Sequence, residues 1–218
     1  MRLLLITQDL DVGGPSVSQL PDFQVHAVAF NQLDFDQIVW ENYEIVVVVL
    51  PAEYLKPLTA LIPMRPPKLP IVLMASDVDR PSRISALRLG VADYIDGCVD
   101  SEELGARLRS VVRRSKGHSG PEIRSGSISL NLETGMVHVD GAPVYLTRRE
   151  RQILNMLALY QGTPVSGVAL SQVLYGLDQV SESRAIRYHI FALRKKLRFG
   201  GRSKFYIENE IGRGYILP

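Results

Sequence analysis

Five cations and two aromatic residues crowd into one stretch, Ser181–Leu197 (SESRAIRYHIFALRKKL): Arg184, Arg187, Arg194, Lys195 and Lys196 with Tyr188 and Phe191. Their chemistry is recognition. A guanidinium fork fits guanine O6 and N7 or a phosphate, an ammonium meets a phosphate as a point charge, and an aromatic ring covers a thymine methyl. Near the C-terminus, FYIENEIGRGYIL carries Arg213 between Gly212 and Gly214, where a cation can approach a phosphate or the minor groove with little steric hindrance. No catalytic set accompanies these residues. Cys98 is the sole cysteine, and His26, His118, His138 and His189 are scattered without ligand spacing. With no nucleophile–base pair and no metal set, the expected protein is not an enzyme and uses no cofactor or metal.

The elements that must present these groups follow from local pattern. Ile186, Ile190, Leu193 and Leu197 recur at i, i+4, i+7 and i+11, so the cationic stretch is an amphipathic helix with one apolar stripe, N-capped by Ser181 or Ser183. Upstream, Thr147-Arg148-Arg149-Glu150 is a capping box that starts a helix running to Tyr160, burying Ile153, Leu154, Leu157 and Ala158. Gly162 and Pro164 stop it, Val168–Tyr175 forms a second helix, and Gly176–Val180 turns into the basic one. Before them, Ile128–Leu130, Met136–Val139 and Pro143–Leu146 read as strands, with Asp140-Gly141 a hairpin turn. Strands, three helices and a terminal hairpin make a winged helix.

The first half reads differently. Arg2–Thr7, Ile45–Leu50 and Ile71–Ala75 are unbroken apolar runs, the mark of parallel strands buried on both faces. Helices are expected before Pro21, over Asp34–Glu41 and Ala52–Leu61, over Arg80–Leu89 closed by Gly90, and over Ser101–Arg114 capped by Ser101. This is an α/β, doubly wound parallel sheet. The division is residues 1–115, a linker at 116–125 rich in Ser, Gly and Pro, and a DNA-binding domain at 126–218. Charge divides the same way. Residues 116–218 hold 14 Lys and Arg against 8 Asp and Glu, and residues 1–115 hold 11 against 15. Only the second half suits nucleic acid. The longest aliphatic run, Ile45–Leu50, is far short of the ~20 residues that span a bilayer, and MRLLLITQD lacks a signal-peptide cleavage site, so a cytoplasmic protein without a membrane partner is expected.

With LTRRERQIL, SRAIRYHIFALRKKL and GRGYIL in view, the whole chain resembles the OmpR/PhoB-type response regulators of two-component systems, which join a receiver (a flavodoxin-like doubly wound fold) to a winged helix. VVRRSKGH, LYG and LRKKL look closest to the alphaproteobacterial cell-cycle members of that family. The resemblance implies a transcription regulator that binds double-stranded DNA and, through the turn Gly176–Val180, touches RNA polymerase. Read with the basic helix facing the groove, the resemblance sets Arg184, Arg187, Tyr188, Phe191 and Arg194 against DNA, Lys195 and Lys196 on phosphates and Arg213 at the minor groove, with Arg187 standing where the family usually has an acidic residue and Phe191-Ala192 where it often has two polar or basic ones. It also implies a homodimer across the fourth helix, fifth strand and fifth helix of the receiver, pairing Arg83 with Glu103 and Asp93 with Arg107, with Leu87 and Leu104 supplying apolar area.

The receiver departs from the family where phosphotransfer occurs. The aspartate nucleophile at the end of the third strand is replaced by Val49, and Val47 offers no substitute. The acidic pair after the first strand reads Gln8-Asp9, the phosphate-sensing hydroxyl position is Ala75 with Ser76 one step off, and the Lys-Pro after the last strand reads Gly97-Cys98. The expectation is a receiver that takes neither phosphoryl group nor Mg²⁺ and dimerises constitutively. A competing reading makes the pocket at Val49, Ala75 and Cys98 the site of a small ligand or partner that controls DNA binding.

Overall fold

The computed structural model describes residues 1–8, 17, 20, 23–49, 61–76, 79–176, 183–198 and 206–218. The chain folds as two units, Met1–Ser115 and Lys116–Pro218.

Unit one is built on five strands: β1 (Arg2–Thr7), β2 (Gln24–Ala29), β3 (Ile45–Val49), β4 (Ile71–Ala75) and β5 (Asp93–Asp96). They pair in parallel in the order β2-β1-β3-β4-β5. This is the flavodoxin-like doubly wound order, in which the crevice at the C-terminal ends of β1 and β3 is the topological switch point. Thr7 and Val49 are register partners there. β1, β3 and β4 are apolar throughout because both their faces are covered, as an all-parallel sheet requires. The exceptions are Thr7, buried at the end of β1, and Arg2, whose buried guanidinium meets buried Glu44 at 2.5 Å, while the Arg2 amide donates to the other carboxylate oxygen. Two helices flank the last strand. α1 (Arg80–Leu89) is N-capped by Asp79 and closed by Gly90 at φ +102, and α2 (Ser101–Ser115) buries Leu104, Leu108, Val111 and Val112.

Several expectations for this unit are corrected. β2, QVHAVA, was not foreseen, because an edge strand with only Ala29 fully buried has no continuous apolar run. The helix expected over Asp34–Glu41 is instead a pair of 3₁₀ turns, Phe35–Gln37 and Trp40–Asn42. The Asp34 carboxylate bonds the Asp36 amide and the Gln37 side chain, a local alternative to helix propagation, and Val39 leaves helical geometry. The cap of α2 is Asp100, which accepts from the Glu103 amide at 2.8 Å, so Ser101 is the first helical residue. Most of the helices expected before Pro21 and at Ala52–Leu61 lies outside the described residues.

Unit two opens with an antiparallel sheet of β6 (Glu122–Ser125), β7 (Ile128–Asn131), β8 (Val137–Val139) and β9 (Ala142–Pro143), in that order. β6 falls in the stretch read as linker. Its turn-like composition conceals alternation, with Ile123 and Ser125 buried and Glu122 and Arg124 outside. Asp140 and Gly141 both take positive φ (51° and 80°), the geometry of a two-residue hairpin. Three helices follow: α3 (Arg148–Leu159), α4 (Gly167–Tyr175) and α5 (Ser183–Lys196). The Thr147/Glu150 capping box is formed, and Ser166 caps α4. The chain ends in the hairpin β10 (Glu208–Glu210) and β11 (Gly214–Ile216). Tyr215 bridges Val165 through paired backbone bonds of 2.8 and 2.9 Å, fixing the hairpin to the α3–α4 connection. One core joins the sheet, the three helices and Leu217. The fold is a winged helix, as the pattern predicts.

Candidate nucleic-acid interface

Helix α5 has two chemically distinct faces. Ile186, Ile190, Leu193 and Leu197 are no more than 1% exposed and seal it onto α3 and α4. On the opposite side Arg184, Arg187, Tyr188, Phe191 and Lys195 are all exposed. Their steps of three, one, three and four residues put them on one stripe along the helix. Tyr188 and Phe191 are 68% and 69% exposed, which is unusual for large apolar groups on a helix that otherwise buries its hydrophobes.

Arg194 and Lys196 behave differently from the DNA contacts expected of them. Arg194 Nε donates to the Ile207 carbonyl at 2.8 Å, tying α5 to the start of the hairpin. Lys196 Nζ lies 2.7 Å from the buried Glu150 carboxylate and also reaches the Tyr145 carbonyl. Both therefore brace the scaffold: the turns of 100° per residue carry positions 194 and 196 off the exposed stripe on either side of Lys195. Burial alone raises the Glu150 carboxyl, but the hydrogen bonds from Lys196 and from Thr147 outweigh it and hold that carboxyl below its usual range. The His189 imidazole is pushed down by burial and by nearby Arg149, against the opposing pull of Glu150. Both effects disfavour the charged imidazolium.

At the hairpin tip Arg213 is exposed but pairs with Glu210 at 2.5 Å, so its charge is partly offset within the wing. Ile211, beside it, is 93% exposed. Sequence reading passed over Ile211 because a single isoleucine in a β-prone run looks like core, and only the turn at Ile211–Arg213 puts it outside.

In unit one the positions compared with a phosphorylation site gather at the C-terminal edge of the sheet. Val49 ends β3, Ala75 ends β4 almost fully buried, and Gln8, Ser76, Gly97 and Cys98 are exposed, while Asp9 lies outside the described residues. A Cβ built on Gly97 would sit 2.3 Å from Ser76 Oγ, so Ser76 occupies the space a side chain at 97 would need. The residues expected on a dimer face divide. Arg107 bonds Glu103 at 2.8 Å and lies 3.8 Å from Asp93, an ion cluster within one chain, and Arg83 lies over the Tyr94 ring. Leu87 is half exposed, but Leu104 is fully buried and belongs to the core of its own unit, because it shares the inward stripe of α2 with Leu108 and Val111. The turn residues 177–180 named for polymerase contact and the Ser181 cap lie outside the described residues.

Comparison with known proteins bears on both units. The family described as "Transcriptional regulatory protein, C terminal" matches residues 141–217. The cell cycle transcriptional regulator CtrA of Caulobacter vibrioides is 31% identical over 221 residues, covering 100% of this chain and 96% of that protein. The cell cycle response regulator CtrA of Brucella anthropi is 32% identical, covering 100% and 95%. Among solved structures, the Thermotoga maritima OmpR/PhoB homologue DrrB aligns over 99% of this chain and 98% of its own at 19% identity, with a TM-score of 0.43. With sequence identity sustained along the whole of both relatives, and with the C-terminal family matched over the winged helix, the chain belongs to the OmpR/PhoB-type response regulators, a family of DNA-binding transcription regulators.

Proposed function

We propose that this chain regulates transcription by sequence-specific binding of double-stranded DNA through α5, and that its receiver-like unit is a constitutive dimeriser that works without aspartyl phosphorylation. The observation that carries the reading is the exposed stripe Arg184, Arg187, Tyr188, Phe191 and Lys195, opposite a fully buried apolar stripe on the same helix. The helix is ~21 Å long at 1.5 Å per residue and fits a major groove ≈ 12 Å wide. Arg184 and Arg187 are the base-reading candidates, Lys195 the phosphate contact, and Arg213 the wing contact. Independence from phosphate is supported by Val49, Ala75 and Gly97, which supply no nucleophile, no hydroxyl and no cation. Exposed Leu87 and Arg83 on α1, with Asp93, Glu103 and Arg107, are the candidate surface for a two-fold contact. RNA polymerase is the partner that a promoter-bound regulator of this family would meet.

The test is a titration of the full chain and of fragment 116–218 onto promoter and scrambled duplexes at two salt concentrations, without phosphodonor. The fragment begins at 116 so that β6 is kept, together with Lys116, which lies 4.2 Å from the Tyr160 ring. The reading requires the full chain to prefer promoter over scrambled DNA and to bind it more tightly than the fragment does. Equal, weak binding to every duplex, collapsing with salt, would leave only the electrostatic term and reject it.

A further inference from the structure

We infer that Tyr188 and Phe191 form an aromatic pair that reads thymine methyl groups in the major groove, which makes T-containing steps a specificity element of the bound site. The inference rests on α5 being the DNA-reading helix and adds what that helix reads.

Four observations meet here. First, the two rings lie one helical turn apart on the exposed stripe, each about two-thirds in solvent. Every aliphatic residue longer than alanine on the same helix is buried, so the pair is not core that happens to lie near the surface. Second, cations flank it along the stripe, Arg184 and Arg187 toward the N-terminus and Lys195 one turn beyond Phe191. A face of that sign suits a polyanion. Third, Phe191 has no hydrogen-bonding atom, and its small neighbour Ala192 adds none. A base edge packed against it must be apolar. In the major groove, cytosine, adenine and guanine present donors and acceptors, and only thymine presents a methyl. Fourth, Arg194 and Lys196, the nearest cations on either side of Lys195, are engaged within the domain through the Ile207 carbonyl and Glu150. The C-terminal half of the stripe is therefore left to the ring of Phe191 and to Lys195. The N-terminal half then reads guanine or phosphate with arginine, and the middle reads methyls.

The test uses the full-length chain and a duplex library with a randomised core. The tightest-binding duplex is resynthesised with deoxyuridine for thymidine at one position at a time, which removes only the methyl. Burying one methyl is worth about a fourfold change in affinity, so one or two positions should each lose about that much. Phe191→Ala should bind the thymidine duplex more weakly and show no uridine penalty at its position. Phe191→Leu, which keeps apolar surface, should retain part of the penalty, and Tyr188→Ala should abolish it at a neighbouring position. Because both side chains are exposed, the variants should melt with the parent protein, which separates a lost contact from a lost fold. A uridine penalty that is absent, or that persists unchanged in both alanine variants, overturns the methyl reading while leaving α5 as a DNA reader. If the library yields no enriched sequence, the reading of α5 itself fails, and the methyl inference with it.

Discussion

At the scale of single residues, the informative outcome is how many charges are tied up inside the fold. Glu150 is the clearest case. It closes the capping box with the Thr147 amide at 2.7 Å and holds Lys196 at 2.7 Å. Its carboxyl is held below its ordinary range in the folded unit, so the unfolded chain takes up its proton first as pH falls. The stabilisation is complete above the unfolded value, ~4.3, and is lost as pH drops through the lower folded value. Glu150→Gln retains the capping geometry and loses the ion pair. It should therefore be less stable at pH 7 by about 1–3 kcal/mol, and show a shallower loss of stability between pH 5 and pH 3, read by urea denaturation at each pH. An unchanged acid slope would mean that Glu150 carries no pH-linked stability. A second buried pair is costlier to break. Glu44→Gln leaves the Arg2 guanidinium in the core without a full counter-charge and should destabilise unit one by about 3–5 kcal/mol in chemical denaturation. Neither pair was legible in the sequence. Arg2 opens an apolar run, Lys196 sits in a basic run, and the partners lie 42 and 46 positions away.

At the scale of elements, legibility follows from whether a local pattern carries the whole decision. The apolar stripe of α5, the capping box of α3 and the Asp140-Gly141 turn are each complete within a few residues, and each forms as read. β2 and β6 could not be read that way, since an edge strand takes its identity from the neighbour it pairs with. The same reasoning separates two glycines of the wing. Gly212 has positive φ and open space around it, so Gly212→Ala should cost only about 1 kcal/mol of backbone strain. A Cβ on Gly214 would lie 2.1 Å from the Val165 carbonyl oxygen, at φ +132. Gly214→Ala must push the hairpin off the α3–α4 connection, breaking the Val165–Tyr215 bridge, for an expected loss of about 2–4 kcal/mol. Thermal melts of the two variants side by side test this. Equal losses would mean that strain alone matters and that the docking contact contributes nothing.

At the scale of the whole molecule, the two units differ in sign, residues 1–115 carrying net −4 and residues 116–218 net +6. An acidic first unit gains nothing from lying on DNA, so any improvement it brings to binding has to come through association of copies. The candidate surface supplies little from charge: exposed ion pairs contribute ~0–1 kcal/mol each, and Arg107, Glu103 and Asp93 already satisfy one another within a chain. Affinity must then rest on Leu87, with Ile84 beside it at 39% exposure, after the loss of Leu104 to the core. This leads to a prediction in two parts. The full chain should sediment as a dimer at micromolar concentration, and Leu87→Asp with Ile84→Asp should return it to a monomer that still unfolds cooperatively, at a melting temperature lowered by the lost association. Acetyl phosphate and Mg²⁺ should change neither the sedimentation nor the DNA affinity of the parent chain. Val49→Asp should respond no better, because it restores a carboxylate without the hydroxyl missing at Ala75 or the cation missing at Gly97, whose side-chain space Ser76 already fills. A phosphodonor-dependent shift to dimer in the parent chain would identify a phosphorylated residue elsewhere in the first unit. The constitutive reading would then give way to a conventional switch built on a displaced site.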